Sequence, residues 1–188
     1  MNTSDRDDYG VVAAPDTVRF ERLLPGSAER LWAYLTEAGK RRQWLAGGEM
    51  EPRLGGRAEL FFRHSDFTDE PVPERFRDIA DGFHAHGRIT AFDPPRVLGM
   101  TWPGDGVDSE VVFELFPEGK NVLLVITHRR LAGRAEMANV SGGWHAHLDV
   151  LAALLEGAET PPFWSRIERL EADYSQRYGR DSGGTTGE

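Results

Sequence analysis

Six histidines are the side chains of this 188-residue chain most able to do chemistry, and their spacing limits what that chemistry is. His145 and His147 lie in Val140-Ser141-Gly142-Gly143-Trp144-His145-Ala146-His147-Leu148-Asp149, which runs on to Leu151, Leu154 and Leu155. At about 100° per residue, Val140, Trp144, His147, Leu151, Leu154 and Leu155 share one narrow arc of a helix. His145, Asp149 and Glu156 fall on the other side. The two imidazoles diverge by about 160°, so they cannot chelate one ion together. His147 can present its ring to a cavity ligand or act as an acid or base. The same position also suits a core histidine that is satisfied by one hydrogen bond. His145 is expected to point away and to pair with Asp149 one turn on.

The other candidates are weaker. His84-Ala85-His86 puts two imidazoles on one face of a strand, and with His64 or His128 that pattern hints at metal. However, Phe83, Ala85, Ile89 and Ala91 make the opposite face the apolar one, so His84, His86, Arg88 and Thr90 should face solvent and no metal is expected. Thr127-His128-Arg129-Arg130 suits an anionic ligand group or, more simply, pairing with nearby carboxylates. Ser109 and Ser141 lack a nucleophile elbow. Gly47-Gly48 and Gly55-Gly56 are turns, not a phosphate loop. No catalytic residue can be assigned, although Glu59 is the nearest carboxylate that could assist His147.

The bulk properties are those of a globular chain that can bury a full core. Thirty-one acidic residues against 22 basic ones give a net charge of −9, which disfavours nucleic acid and anionic membranes. With no cysteine there is no disulfide, thiolate site or Cys nucleophile. No apolar run approaches the roughly 18 residues of a membrane helix. The polar start is no signal peptide, so the cytoplasm is the expected compartment. No cofactor is expected.

The elements that must position these residues can be read from period and punctuation. Residues 1–15 and 180–188 lack periodicity and are expected to be a disordered arm and tail. Thr17 to Leu24 reads as a strand ended by Pro25-Gly26. Ser27 caps a helix carrying Ala28, Leu31, Trp32 and Leu35, and a short turn follows around Gln43-Trp44-Leu45. The period then becomes two. Glu51 to Leu54 and Arg57 to His64 flank Gly55-Gly56 as a hairpin, followed by strands over Phe83 to Phe92, Arg96 to Trp102, Ser109 to Phe116 and Asn121 to His128. The long helix, from about Val140 to Glu156, stops at Gly157. Pro161-Pro162 starts an additional amphipathic helix within 159–179, with Phe163, Ile167, Leu170, Tyr174 and Tyr178 on one side. It must dock on its own domain, residues 16–158, or on a second copy. Ser65 to Asp81, acidic and proline-punctuated, is a lid or a solvated loop.

This order, with Trp32, Trp44-Leu45, Gly55-Gly56, Gly87-Arg88-Ile89, Asp93-Pro94-Pro95, Trp102, Gly143-Trp144 and Leu148, resembles the SRPBCC (START-like) superfamily. Within it, the branch named for the activator of heat-shock-protein-90 ATPase is the most similar. The resemblance covers roughly Thr17 to Gly157. It implies an α+β helix-grip fold, a curved antiparallel sheet of about six or seven strands wrapped around the long C-terminal helix, with an apolar cavity between them. The superfamily includes lipid carriers, hormone receptors, polyketide cyclases and co-chaperone domains, so fold alone does not fix function.

The first expectation is therefore a binding protein for a small hydrophobic molecule. Trp144, His147 and Leu151 would form the helix wall, and Phe61, Phe113 and Trp102 parts of the sheet wall. The alternatives are an enzyme of cyclase, dehydratase or hydrolase type using His147, and an interaction protein with a chaperone partner or a homodimer built through the extra helix. The aromatics are also numerous enough simply to fill the cavity.

Overall fold

A computed structural model describes residues 8–102 and 108–180. Seven antiparallel strands form one sheet in the order β1-β2-β7-β6-β5-β4-β3. They are β1 (Val11–Ala14), β2 (Thr17–Pro25), β3 (Arg57–Phe62), β4 (Phe83–Asp93), β5 (Val97–Trp102), β6 (Ser109–Glu118) and β7 (Asn121–Arg129). The helices are α1 (Ala28–Thr36), α2 (Ala38–Arg41), α3 (Arg134–Glu156) and α4 (Phe163–Arg180).

Period-two alternation decides which face of the sheet is buried. Val18, Phe20 and Leu24 of β2, Val111, Phe113 and Leu115 of β6, and Val122, Leu124 and Ile126 of β7 all enter the core. Ser27 caps α1 by accepting from the Arg30 amide at 3.2 Å. Leu31 and Leu35 of α1 are buried. Helix α3 lies across the sheet and ends at Gly157, whose φ of 68° is the left-handed C-cap geometry that glycine adopts without strain.

Several expectations from sequence are corrected. Helix α3 begins at Arg134, not near Val140, because Met137, Ala138 and Ser141 carry a buried face back toward its start. Residues 51–54 form no strand. Residues just before it bridge to β3 at isolated points, Gly47 to Phe61 and Met50 to Ala58, the Glu51 amide donates to the Arg57 carbonyl at 2.8 Å, and the hairpin partner of β3 is β4. Pro52 cannot donate to a ladder and Leu54 is left exposed, so nothing rewards a strand there. The arm expected to be disordered through residue 15 instead contains β1, paired with β2. Residues 1–7 of that arm, and 181–188 of the expected tail, lie outside the described residues.

The largest correction concerns α3. Helix α4 packs along its outer side, burying Phe163, Trp164, Ile167, Leu170, Tyr174 and Tyr178. Gly142 allows the approach, since a Cβ there would meet Glu171 Cγ at 2.8 Å. Helix α3 is thus buried on both sides, and His145, expected to face outward, is 2% exposed. Its Nδ1 lies 2.9 Å from the Tyr174 hydroxyl and its Nε2 3.6 Å from Asp149. The apolar face of α4, which sequence left to dock on its own domain or on a second copy, packs within the chain. Among the described residues, no helix is long and apolar enough to cross a membrane.

Candidate functional site

Between α3 and the sheet lies a cavity of about 150 Å³, walled by Phe62, Trp102, His128 and Leu45 on one side and Val140, Gly143, Trp144 and His147 on the other. Wider clefts exist on the surface. One, about 1050 Å³ between residues 49–59 and 86–88, is open and charged, and its exposed Arg53 and Arg57 pair with Glu51. The small cavity is the stronger candidate because its walls combine large aromatics with buried imidazoles, the usual make-up of a ligand site.

The hydrogen bonds around His128 fix its protonation. The Trp144 indole Nε1 can only donate, and it donates to His128 Nδ1 at 3.0 Å. Nδ1 is therefore unprotonated and Nε2 carries the proton, which it donates to Ser109 Oγ at 2.7 Å. Ser109 in turn donates to the Trp102 carbonyl at 3.1 Å. This relay ties α3, β5, β6 and β7 together and leaves the His128 nitrogens fully used. Burial lowers the His128 pKa to about 4, so the ring is neutral near pH 7.

His147 is built differently. Its Nδ1 lies 2.6 Å from the Trp44 carbonyl, an acceptor only, so Nδ1 carries the proton. Nε2 is then an unprotonated acceptor on a ring that lines the cavity. Burial, reinforced by the neighbouring His64, drives its pKa down to about 3 against the opposing bond from Trp44. The Trp44 carbonyl is itself held in place. The guanidinium of Arg41, 1% exposed, donates to the carbonyls of Leu35, Thr36, Ala46, Gly47 and Gly48, organising the turn after α1. Burial lowers the Arg41 pKa to about 10, still charged at neutral pH.

Of the residues singled out from sequence, Trp102, Trp144 and His147 come together at this cavity. Phe113 stands behind it, edge-on to Trp144 at 5.6 Å, and Leu151 is core one turn further on. Phe61 is misplaced by one residue. It lies on the outer face of β3 stacked on His84 at 4.4 Å, and Phe62 takes the cavity position. Glu59 shares that outer face and meets His84 at 3.3 Å, so it is not a partner for His147. Among the described residues no carboxylate lines the cavity. Arg129 of the basic strand end pairs with Glu110 at 2.6 Å, holding that carboxyl below its usual range. Sequence reasoning missed His128 as a cavity residue. Its signal was present, because Val122, Leu124, Ile126 and His128 continue one inward alternation.

Comparisons bear on the same region. The family described as Activator of Hsp90 ATPase homolog 1-like protein matches residues 25–156. The solution structure of the protein encoded by gene BPP1335 from Bordetella parapertussis is 47% identical, with 91% of each chain covered and a TM-score of 0.80. CalU16 from Micromonospora echinospora is 21% identical, covering 87% of this chain and 86% of that one, TM-score 0.64. A conserved protein of unknown function from Enterococcus faecalis is 20% identical over 93% and 91%, TM-score 0.67. The last two show likeness of fold alone. No protein of curated function matches the sequence significantly.

Proposed function

Because the chain belongs to the family of Activator of Hsp90 ATPase homolog 1-like proteins, with the helix-grip fold of the SRPBCC superfamily, we propose that it is a binding protein for a small neutral ring compound carrying one hydrogen-bond donor. The observation that carries this reading is the His147 ring. Its donor is spent on Trp44, and its acceptor nitrogen belongs to a buried aromatic wall. A phenolic O–H or an aniline N–H matches that acceptor. The volume of about 150 Å³ suits a single ring, since an apolar cavity of about that size admits benzene. It lies below the roughly 300–1,000 Å³ typical of sites for larger ligands. Both cavity histidines are neutral near pH 7, which disfavours anions that would want a cation beside them.

Thermal-shift and calorimetric titration of the full chain with phenol, aniline, benzene and benzoate tests this. Phenol and aniline should bind, benzene more weakly and benzoate not at all. In His147→Leu the preference for phenol over benzene, roughly fivefold for one hydrogen bond, should vanish while benzene is still bound. No binding of any one-ring compound at millimolar concentration would refute the proposal. An enzymatic reading finds less support, because imidazoles held near pKa 3–4 are weak bases at neutral pH. Chaperone association is a second reading, favoured by the family description and by exposed Leu23 and Phe116, which flank Leu123 on the outer sheet face. It requires that the purified chain stimulate an Hsp90-type ATPase and that Phe116→Ser weaken the effect.

A further inference from the structure

His147 belongs to two neighbourhoods. One edge of it lines the cavity, and the ring also packs into a second aromatic cluster, 4.8 Å from Phe163, 5.6 Å from Phe67 and 5.9 Å from His64. Within that cluster His64 lies 4.6 Å from Trp164 and 5.1 Å from Phe163. His64 is 8% exposed and Trp164 3% exposed. Yet His64 Nδ1 and Trp164 Nε1 have no hydrogen-bond partner among the described residues. Buried polar atoms are normally paired, so two orphans on touching rings are unusual.

The covering element is latched to α4 at Glu70 and at Arg75. Both oxygens of the Glu70 carboxylate engage the first turn of α4. One accepts from the Trp164 amide at 2.7 Å and the Ser165 amide at 3.3 Å, and the other from the Ser165 hydroxyl. Arg75 of the same segment reaches Glu171 at 2.7 Å. Beyond Phe67 a surface cleft of about 710 Å³ runs between residues 65–70 and 159–162. Phe67 lines that cleft and His147 lines the inner cavity, and their rings lie 5.6 Å apart.

We propose that the cluster is a second, closed subsite of the cavity, opened when a two-ring ligand displaces Phe163 and presents an acceptor to the Trp164 indole N–H. This rests on the binding reading above and names its ligand class more fully: a fused two-ring compound with a donor at one end, for His147 Nε2, and an acceptor at the other. The first turn of α4 and residues 65–81 form the gate, with Glu70 as its catch. His64 is the second polar contact, its Nδ1 meeting whatever donor or water accompanies the far end of the ligand.

Three probes separate the possibilities on the full chain: phenol, 2-naphthol and 6-hydroxyquinoline, which places a ring nitrogen far from its hydroxyl. Calorimetry gives affinities, and amide hydrogen exchange at Trp164 and Ser165 reports on the gate. Phenol should leave exchange there unchanged, and both two-ring probes should speed it. 6-Hydroxyquinoline should bind more tightly than 2-naphthol, and Trp164→Phe should erase that difference. Phe163→Ala, or Glu70→Gln if the former folds poorly, should tighten both two-ring probes by about tenfold, as expected when a closed state is less favoured, with phenol unchanged. If phenol binds while both two-ring probes are excluded from wild type and variants, the subsite is refuted and the binding reading stands. Two-ring binding that ignores Trp164→Phe and leaves exchange unmoved also refutes it. If phenol fails to bind, both fall together.

Discussion

The Trp144 indole has one N–H and no acceptor, and from that single fact the protonation of His128 follows, then the direction of the Ser109 bond. Three buried imidazoles are held neutral: His64 and His128 with pKa values lowered to about 4, and His147 to about 3, chiefly by burial. In the unfolded chain each titrates near 6.5. Between these values the unfolded state binds protons that the native state refuses. Stability is therefore full above about pH 6.5 and is lost as pH falls toward 4, by roughly 2 kcal/mol per histidine at pH 5. Urea denaturation at pH 7.5 and pH 5 should show a loss on the order of 6 kcal/mol, and a flat profile would contradict the burial. His64→Phe removes one of the three titrations and an unpartnered polar atom. It should flatten the slope by about a third and leave stability at pH 7.5 unchanged or raised by about 1 kcal/mol. His128→Phe should instead cost about 2 kcal/mol at pH 7.5, because it strands the Trp144 N–H.

At the level of elements, the turn after α1 and the docking of α4 decide whether the site keeps its geometry. Arg41 serves five carbonyls with a planar fork, which the ammonium of lysine cannot reproduce. Arg41→Lys should lose about 2–4 kcal/mol in guanidinium denaturation. It should also blunt the preference for phenol over benzene, since the Trp44 carbonyl then loses its fixed place. On the other side of α3, the Tyr174 hydroxyl accepts from the Gly10 amide at 2.7 Å while meeting His145, and the Tyr178 hydroxyl donates to the Gly10 carbonyl at 3.3 Å. Gly10 lies so close to Phe20 that a Cβ would come within 2.3 Å of the ring. The arm is therefore a strap across α4. Tyr174→Phe should cost about 1–3 kcal/mol and accelerate amide exchange at Gly10 and along the last turns of α4, with little effect in β5 to β7.

For the molecule as a whole, the strand order and the long helix were legible because alternation and turn residues coincide, as in Val111, Phe113 and Leu115 before Pro117. The second layer was not. A helical arc shows which face is most apolar, but α3 is buried on two faces, and nothing in its own sequence says that α4 will cover His145. The strap at Gly10 and the catch at Glu70 join residues 164 and 95 positions apart, so no local pattern reveals them. At Phe61-Phe62 two adjacent aromatics leave the phase of the strand ambiguous, and a shift of one residue exchanged the faces. His128 was missed for the opposite reason, because its basic neighbours drew attention from the inward alternation it continues. The central claim is that His147 offers an unprotonated Nε2 to a ligand donor. Long-range proton–nitrogen NMR of the histidine rings, recorded at pH 7 with and without phenol, tests it most directly. The account predicts a neutral His147 with its proton on Nδ1 and an Nε2 resonance that moves toward the hydrogen-bonded range as phenol is added. A proton on Nε2, a charged ring, or an Nε2 resonance indifferent to phenol would contradict it.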